Sequence, residues 1–109
     1  VQKVLNNTLF QQAHGVAAGQ FNGDSLLDLA IACRGDQEDT DGIALVMGAS
    51  NLTFGSTVYK IGKGYFPWHV KVADLDRDCT VDIVSLSNNV NPSVFEIVVF
   101  INGRIQVCD

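Results

Sequence analysis

One feature limits what this chain can become more than any other: an internal repeat. Gly15-Val16-Ala17-Ala18-Gly19-Gln20-Phe21-Asn22-Gly23-Asp24 aligns with His69-Val70-Lys71-Val72-Ala73-Asp74-Leu75-Asp76-Arg77-Asp78 at an offset of 54. The register then places Asp28 on Asp82. It carries Ile43-Ala44-Leu45-Val46-Met47 onto Ile97-Val98-Val99-Phe100-Ile101 without a gap. A unit repeated at this period is one supersecondary element, and it buries its faces only against neighbours.

Each copy reads as short strands. Val16–Gly19 and Val70–Ala73 are brief β-type runs, each followed by an acidic, turn-like segment. Leu27–Cys33 and Val81–Ser87 come next, rich in Ile, Val and Leu. Ile43–Met47 and Phe95–Ile101 follow a polar loop, and the first copy adds Thr57–Ile61. Turns are expected at Gly48, Gly55, Gly62, Gly64, Asn88, Asn89 and Asn102-Gly103. No stretch carries a helical stripe, so the fold class is all-β. A four-stranded unit of this length is a β-propeller blade. Two blades cannot close a ring, so the chain is expected to be a segment of a larger propeller or to assemble with other copies. The expected division is an outer strand of a preceding blade at 1–12 (the strand itself at Val1–Phe10), a blade at 13–64, and a second, not necessarily complete, blade at 65–109.

Composition narrows the function. Only 17% of residues are charged, which argues against a long charged helix or coiled coil. The net charge of −5 disfavours nucleic acid and anionic membranes as partners and favours cations. No apolar run is long enough to span a membrane as a helix. The chain begins with Val1 and not Met, and no signal peptide is read at its start, so a mature domain or an excised fragment is expected. Three cysteines, Cys33, Cys79 and Cys108, are too few for a disulfide scaffold. An odd number leaves at least one thiol free or paired outside the chain.

The sharpest chemistry lies at 74–82. Asp74, Asp76, Asp78 and Asp82 occupy loop positions 1, 3, 5 and 9. Alternate spacing on a tight turn lets carboxylates converge, and the Thr80 carbonyl at position 7 adds an oxygen. Calcium takes six to eight oxygens, whereas magnesium prefers few protein ligands and keeps its waters, so Ca²⁺ is the expected cofactor. An EF-hand is rejected, because position 12 is Ser85 rather than a bidentate Glu and no helices flank the loop. The first copy offers Gln20, Asn22, Asp24, the Leu26 carbonyl and Asp28. With two carboxylates instead of four, it is expected to bind much more weakly or not at all. Asp and Asn also favour plain turns, so polar turns without metal remain the competing reading.

Together these features resemble the FG-GAP or VCBS repeat, the blade of integrin-α-like propellers. The resemblance rests on Ala18-Gly19-Gln20-Phe21-Asn22-Gly23-Asp24, Asp28-Leu29-Ala30-Ile31-Ala32, Phe54-Gly55, Tyr59–Pro67 and the 74–82 loop, and covers about residues 13–103. It implies a structural calcium at the rim of each blade, an extracellular or cell-surface location and a binding or adhesion role. The expected partners are neighbouring blades or other copies of the chain, with a protein or glycan ligand. Three departures stand out. Gln20 replaces the family's first Asp, Ser25 and Cys79 replace its position-6 glycine, and Leu52 stands where many members have Gly. Two alternatives stay open: an accessory, non-catalytic propeller segment of a secreted enzyme, and a small self-associating β protein without metal.

The remaining constellations have bland readings. Arg34-Gly35-Asp36 is an incidental triplet unless displayed on an exposed loop. Asp36–Asp41 is read as a solvated loop. His14 and His69 sit at nearly equivalent repeat positions with no nucleophile elbow nearby, so strand-edge packing is expected and no catalysis. Trp68 and Tyr65-Phe66 are expected to pack between blades. Cys79 is read as a tolerated substitution or a labile thiol, since Ca²⁺ prefers oxygen.

Overall fold

The computed structural model describes residues 4–6, 9–34, 41–50, 53–62, 66–87 and 95–102. Among these residues seven strands form: β1 (Ala13–Gly19), β2 (Asp28–Cys33), β3 (Gly42–Gly48), β4 (Phe54–Ile61), β5 (Pro67–Ala73), β6 (Asp82–Ser87) and β7 (Glu96–Phe100). They make two antiparallel sheets, β1-β2-β3-β4 and β5-β6-β7. Among the described residues there is no helix, and none long and apolar enough to cross a membrane.

The period-2 alternation of strands divides each sheet into two faces. In the first, Ala17, Ala30, Ala32, Ile43, Leu45, Met47 and Ile61 meet Val70, Val72, Ile83 and Phe100 of the second, with Phe21 between them. The sheets approach through β1, β2 and β5. Small residues permit this. A Cβ on Gly19 would lie 3.2 Å from Val81 Cγ2, tighter than an ordinary contact, while one on Gly15 would meet the Trp68 carbonyl oxygen at an ordinary 3.6 Å. Toward the outer strands the sheets splay around an apolar groove of about 280 Å³, bordered by Leu45, Met47, Ile61, Ile83 and Phe100. Close inner strands and diverging outer strands are the geometry of blades set around an axis. The opposite face of the first sheet holds Ile31, Cys33, Ala44 and Val46 under Phe10, Phe54 and Val58.

The 54-residue repeat extends to the backbone. Positive φ values pair up as Gln12 with Phe66 (48° and 50°), Gly23 with Arg77 (76° and 61°), and Ser25 with Cys79 (69° and 68°).

Several expectations change. Of the segment Val1–Phe10, the described residues are not strand. Local strand propensity there has no described partner, and a strand needs one. Gly55 lies inside β4 rather than in a turn, because pairing with β3 begins at Phe54. Asp41 is fully buried, not solvated, and accepts a hydrogen bond from Phe66 N at 2.9 Å. Gly35 and Asp36 of the Arg-Gly-Asp triplet lie outside the described residues, as do Tyr65 and Cys108.

Candidate metal centre

The loops 20–28 and 74–82 join β1 to β2 and β5 to β6 at the same rim. Both are built on one hydrogen-bond plan. Asp28 Oδ2 accepts from Phe21 N at 2.9 Å, and Asp82 Oδ2 accepts from Leu75 N at 2.9 Å. Asp28 Oδ1 accepts from Gly48 N and Asp82 Oδ1 from Asn102 N, both at 2.8 Å. Each buried carboxylate therefore ties the start of its loop to the end of the third strand. Both are wholly removed from solvent. A buried carboxylate is tolerable only when its lone pairs are filled, and two N–H donors do part of that. Position 5 closes the turn two residues on: Leu26 N donates to Asp24 Oδ1 and Thr80 N to Asp78 Oδ1, both at 3.0 Å. Asn102 Nδ2 also donates to the Phe21 carbonyl at 2.8 Å, fastening the second blade to the first loop.

Position 1 is where the loops part. Asp74 accepts from Asp78 N with Oδ1 (3.1 Å) and from Cys79 N with Oδ2 (2.8 Å). Each oxygen takes one backbone donor. Gln20 has one acceptor oxygen, and it takes both Gly23 N (2.9 Å) and Asp24 N (3.1 Å). Its two lone pairs are spent. Asn22 Oδ1 also accepts, from Asp24 N at 3.3 Å.

The four predicted carboxylates of the second loop come together. One oxygen from each of Asp74, Asp76, Asp78 and Asp82 lies within 4.8 Å of the others. Asp82 forms the buried floor, while Asp74 and Asp76 stand exposed at the mouth. Crowding marks the site electrostatically. The Asp76 carboxyl is held above the ordinary carboxylate range, first by desolvation, then by the hydrogen bond to Asp78 and the charges of Asp78 and Asp82. Asp78 is held below that range, chiefly by the N–H of Thr80. Four hard carboxylate oxygens converging on one point are of the donor type Ca²⁺ takes. In the first loop, Asp24 and Asp28 are the carboxylates, beside the saturated Gln20.

The position-6 residues keep the left-handed backbone without glycine, at Ser25 and Cys79. Cys79 is disulfide-bonded, so it is neither a labile thiol nor a bystander. No spacing signal in a chain of three cysteines could have revealed that. Cys33 is the free thiol among the described cysteines, and burial pushes its pKa up.

At the opposite rim, His14 lies tilted against Trp68 with ring centroids 4.6 Å apart, and the Arg34 guanidinium lies 4.7 Å from the Trp68 ring centre. His14 belongs to the first sheet and Trp68 to the second, so the aromatic does sit between blades. His69 is exposed.

The sequence model of the FG-GAP-like repeat family matches residues 20–85, more than half of the chain. No curated protein and no solved structure matches it.

Proposed function

Taking as premise that the chain belongs to the FG-GAP-like repeat family, we propose that it is a calcium-stabilised propeller segment whose 74–82 loop holds the ion. One observation carries this reading: the four converging carboxylates of that loop. Asp74, Asp76, Asp78 and Asp82 would hold the ion through side chains, and Thr80 through its carbonyl. The bound charge would offset the Asp78 and Asp82 charges, which add to the desolvation that raises the Asp76 pKa. Its role is structural, locking the β5–β6 hairpin. The 20–28 loop reaches a similar shape with amide and backbone hydrogen bonds and has little left for a cation.

On this reading the segment is not catalytic. It belongs to an extracellular or cell-surface protein in which such blades serve binding or adhesion. The resemblance to integrin-α-like propellers supports this. No observation favours the accessory-enzyme alternative.

The test is a thermal melt with Ca²⁺ and with EGTA, and with Mg²⁺ as control. Calcium at a hundred times its dissociation constant adds about 2.7 kcal/mol. For a domain this size that raises Tm on the order of 10–20 °C. Asp78→Ala should abolish the shift. A wild-type melt indifferent to calcium would leave the loops as plain turns.

A further inference from the structure

Cys33 is a free, buried thiol and Cys79 is disulfide-bonded, which leaves Cys108 as the partner the chain itself can offer. The repeat supports that pairing independently. Moving back 54 residues takes Cys79 to Ser25 and Cys108 to Phe54. Ser25 and Phe54 are far apart in sequence, yet they line one hollow of about 410 Å³ in the first blade, with Leu27 and Leu29. The counterparts of Leu27 and Leu29 are Val81 and Ile83, so the surroundings are apolar in both copies.

The same comparison shows why the second blade has use for a bond. Phe54 holds its place by packing on Ile31, Cys33, Ala44 and Val46. Two of the matching positions are Ser85 and Ser87, both fully buried, with their hydroxyls hydrogen-bonded to each other at 2.9 Å. A phenyl ring gains less on hydroxyls than on Ile31 and Cys33. The sequence has a cysteine, not an aromatic, at that register position.

Cys79 is central to the acidic loop. Its N–H donates to Asp74 Oδ2 at 2.8 Å, and its φ of 68° is one that residues other than glycine disfavour. A covalent tie on its side chain removes open conformations of the loop, which is how a disulfide stabilises. Cys79 is exposed, so a thiol can reach the bond.

We infer that Cys79 and Cys108 form a disulfide that staples the end of the chain to the 74–82 loop and makes that loop sensitive to thiols. A dithiol undoes it by exchange. One thiolate of the reductant attacks a sulfur of the bond and forms a mixed disulfide. The second thiol then closes the reductant into a cyclic disulfide, and two electrons and two protons end on the chain as two thiols. The bond itself needs no cation; its effect on calcium rests on the calcium reading of the loop. A disulfide persists in an oxidising compartment, in keeping with a location outside the cell.

Trypsin cuts after Arg77 and Arg104 and so separates the two cysteines. Mass spectrometry of the unreduced full chain should find the 78–104 and 105–109 peptides joined, and dithiothreitol should part them. In EGTA, dithiothreitol should lower Tm by on the order of 10–20 °C, since the bond closes a loop of roughly 30 residues. Cys108→Ser should melt at the reduced value and ignore the reductant; the wild-type peptide map decides the pairing even if this variant does not fold. Reduction should also weaken calcium binding by roughly fivefold or more in calorimetry, because a less ordered loop must be ordered on binding. Unlinked peptides, a link through Cys33, or a Tm that reduction leaves unchanged overturns the proposal. Calcium bound equally in both states overturns the coupling of staple to loop. A chain that shows the link and the Tm drop but binds no calcium in either state overturns the calcium reading and leaves the staple standing.

Discussion

The loops 20–28 and 74–82 are two solutions to one problem: turning sharply from an inner strand into the next while burying an aspartate. They share the carboxylate clamp, the position-5 turn and the two left-handed residues, at matching positions 54 apart. They differ in what neutralises the interior of the turn. The first uses an amide at position 1 and fills its oxygen with N–H donors. The second keeps four carboxylates and accepts their repulsion. A loop can therefore hold its shape without four carboxylates, and those in excess of that need are the ones that could hold a metal ion.

The largest effect expected separates the clamp from the cation. Asp28→Ala and Asp82→Ala each strand two buried or part-buried N–H groups and should each cost about 2–3 kcal/mol in melts with EGTA. Calcium titration should then distinguish them, with binding lost in Asp82→Ala and kept in Asp28→Ala. Next comes Gly48→Ala. A Cβ there would sit 2.1 Å from the Leu27 carbonyl oxygen, so the clamp must open. About 2 kcal/mol of destabilisation is expected by chemical denaturation. The same step is already filled in the second blade, where Asn102 occupies the matching position.

A smaller pair of changes exchanges the chemistry of the loops. Asp76→Asn should leave the melt in EGTA unchanged or slightly higher, because its raised pKa means the charged form is disfavoured. It should weaken calcium binding about tenfold by calorimetry, through lost ligand charge. Gln20→Asp should give the first loop measurable calcium affinity by adding a carboxylate with spare lone pairs. A Gln20→Asp chain that binds one ion as wild type does would show that lone-pair supply at position 1 is not what separates the loops. The smallest effect belongs to Ser25→Gly. Relief of the left-handed backbone should stabilise by about 0.5–1 kcal/mol in a denaturant titration.

Much of this was legible from spacing. The β1, β2, β3, β5, β6 and β7 runs and the second half of β4 are visible as β-type segments, and the 54-residue register locates both acidic loops. The misses share a cause. Asp41 lies in an acidic run that reads as solvated, yet the N–H of Phe66, 25 residues away, draws it inside. Cys79 reads as a mere replacement for glycine, although it is bonded and adopts the glycine conformation.

What the sequence determined by itself is periodic: strand after strand, two blades, and carboxylates at alternate loop positions. Those follow from local rules, since side chains alternate across a strand and a turn brings alternate residues to one point. What only the tertiary structure decided is which of the equivalent positions are covered and which lone pairs are free. Ile43 and Ile97 are the same residue in the same register, buried in one sheet and open in the other. The difference is the presence of a neighbouring sheet, and burial is a property of that neighbour as much as of the residue.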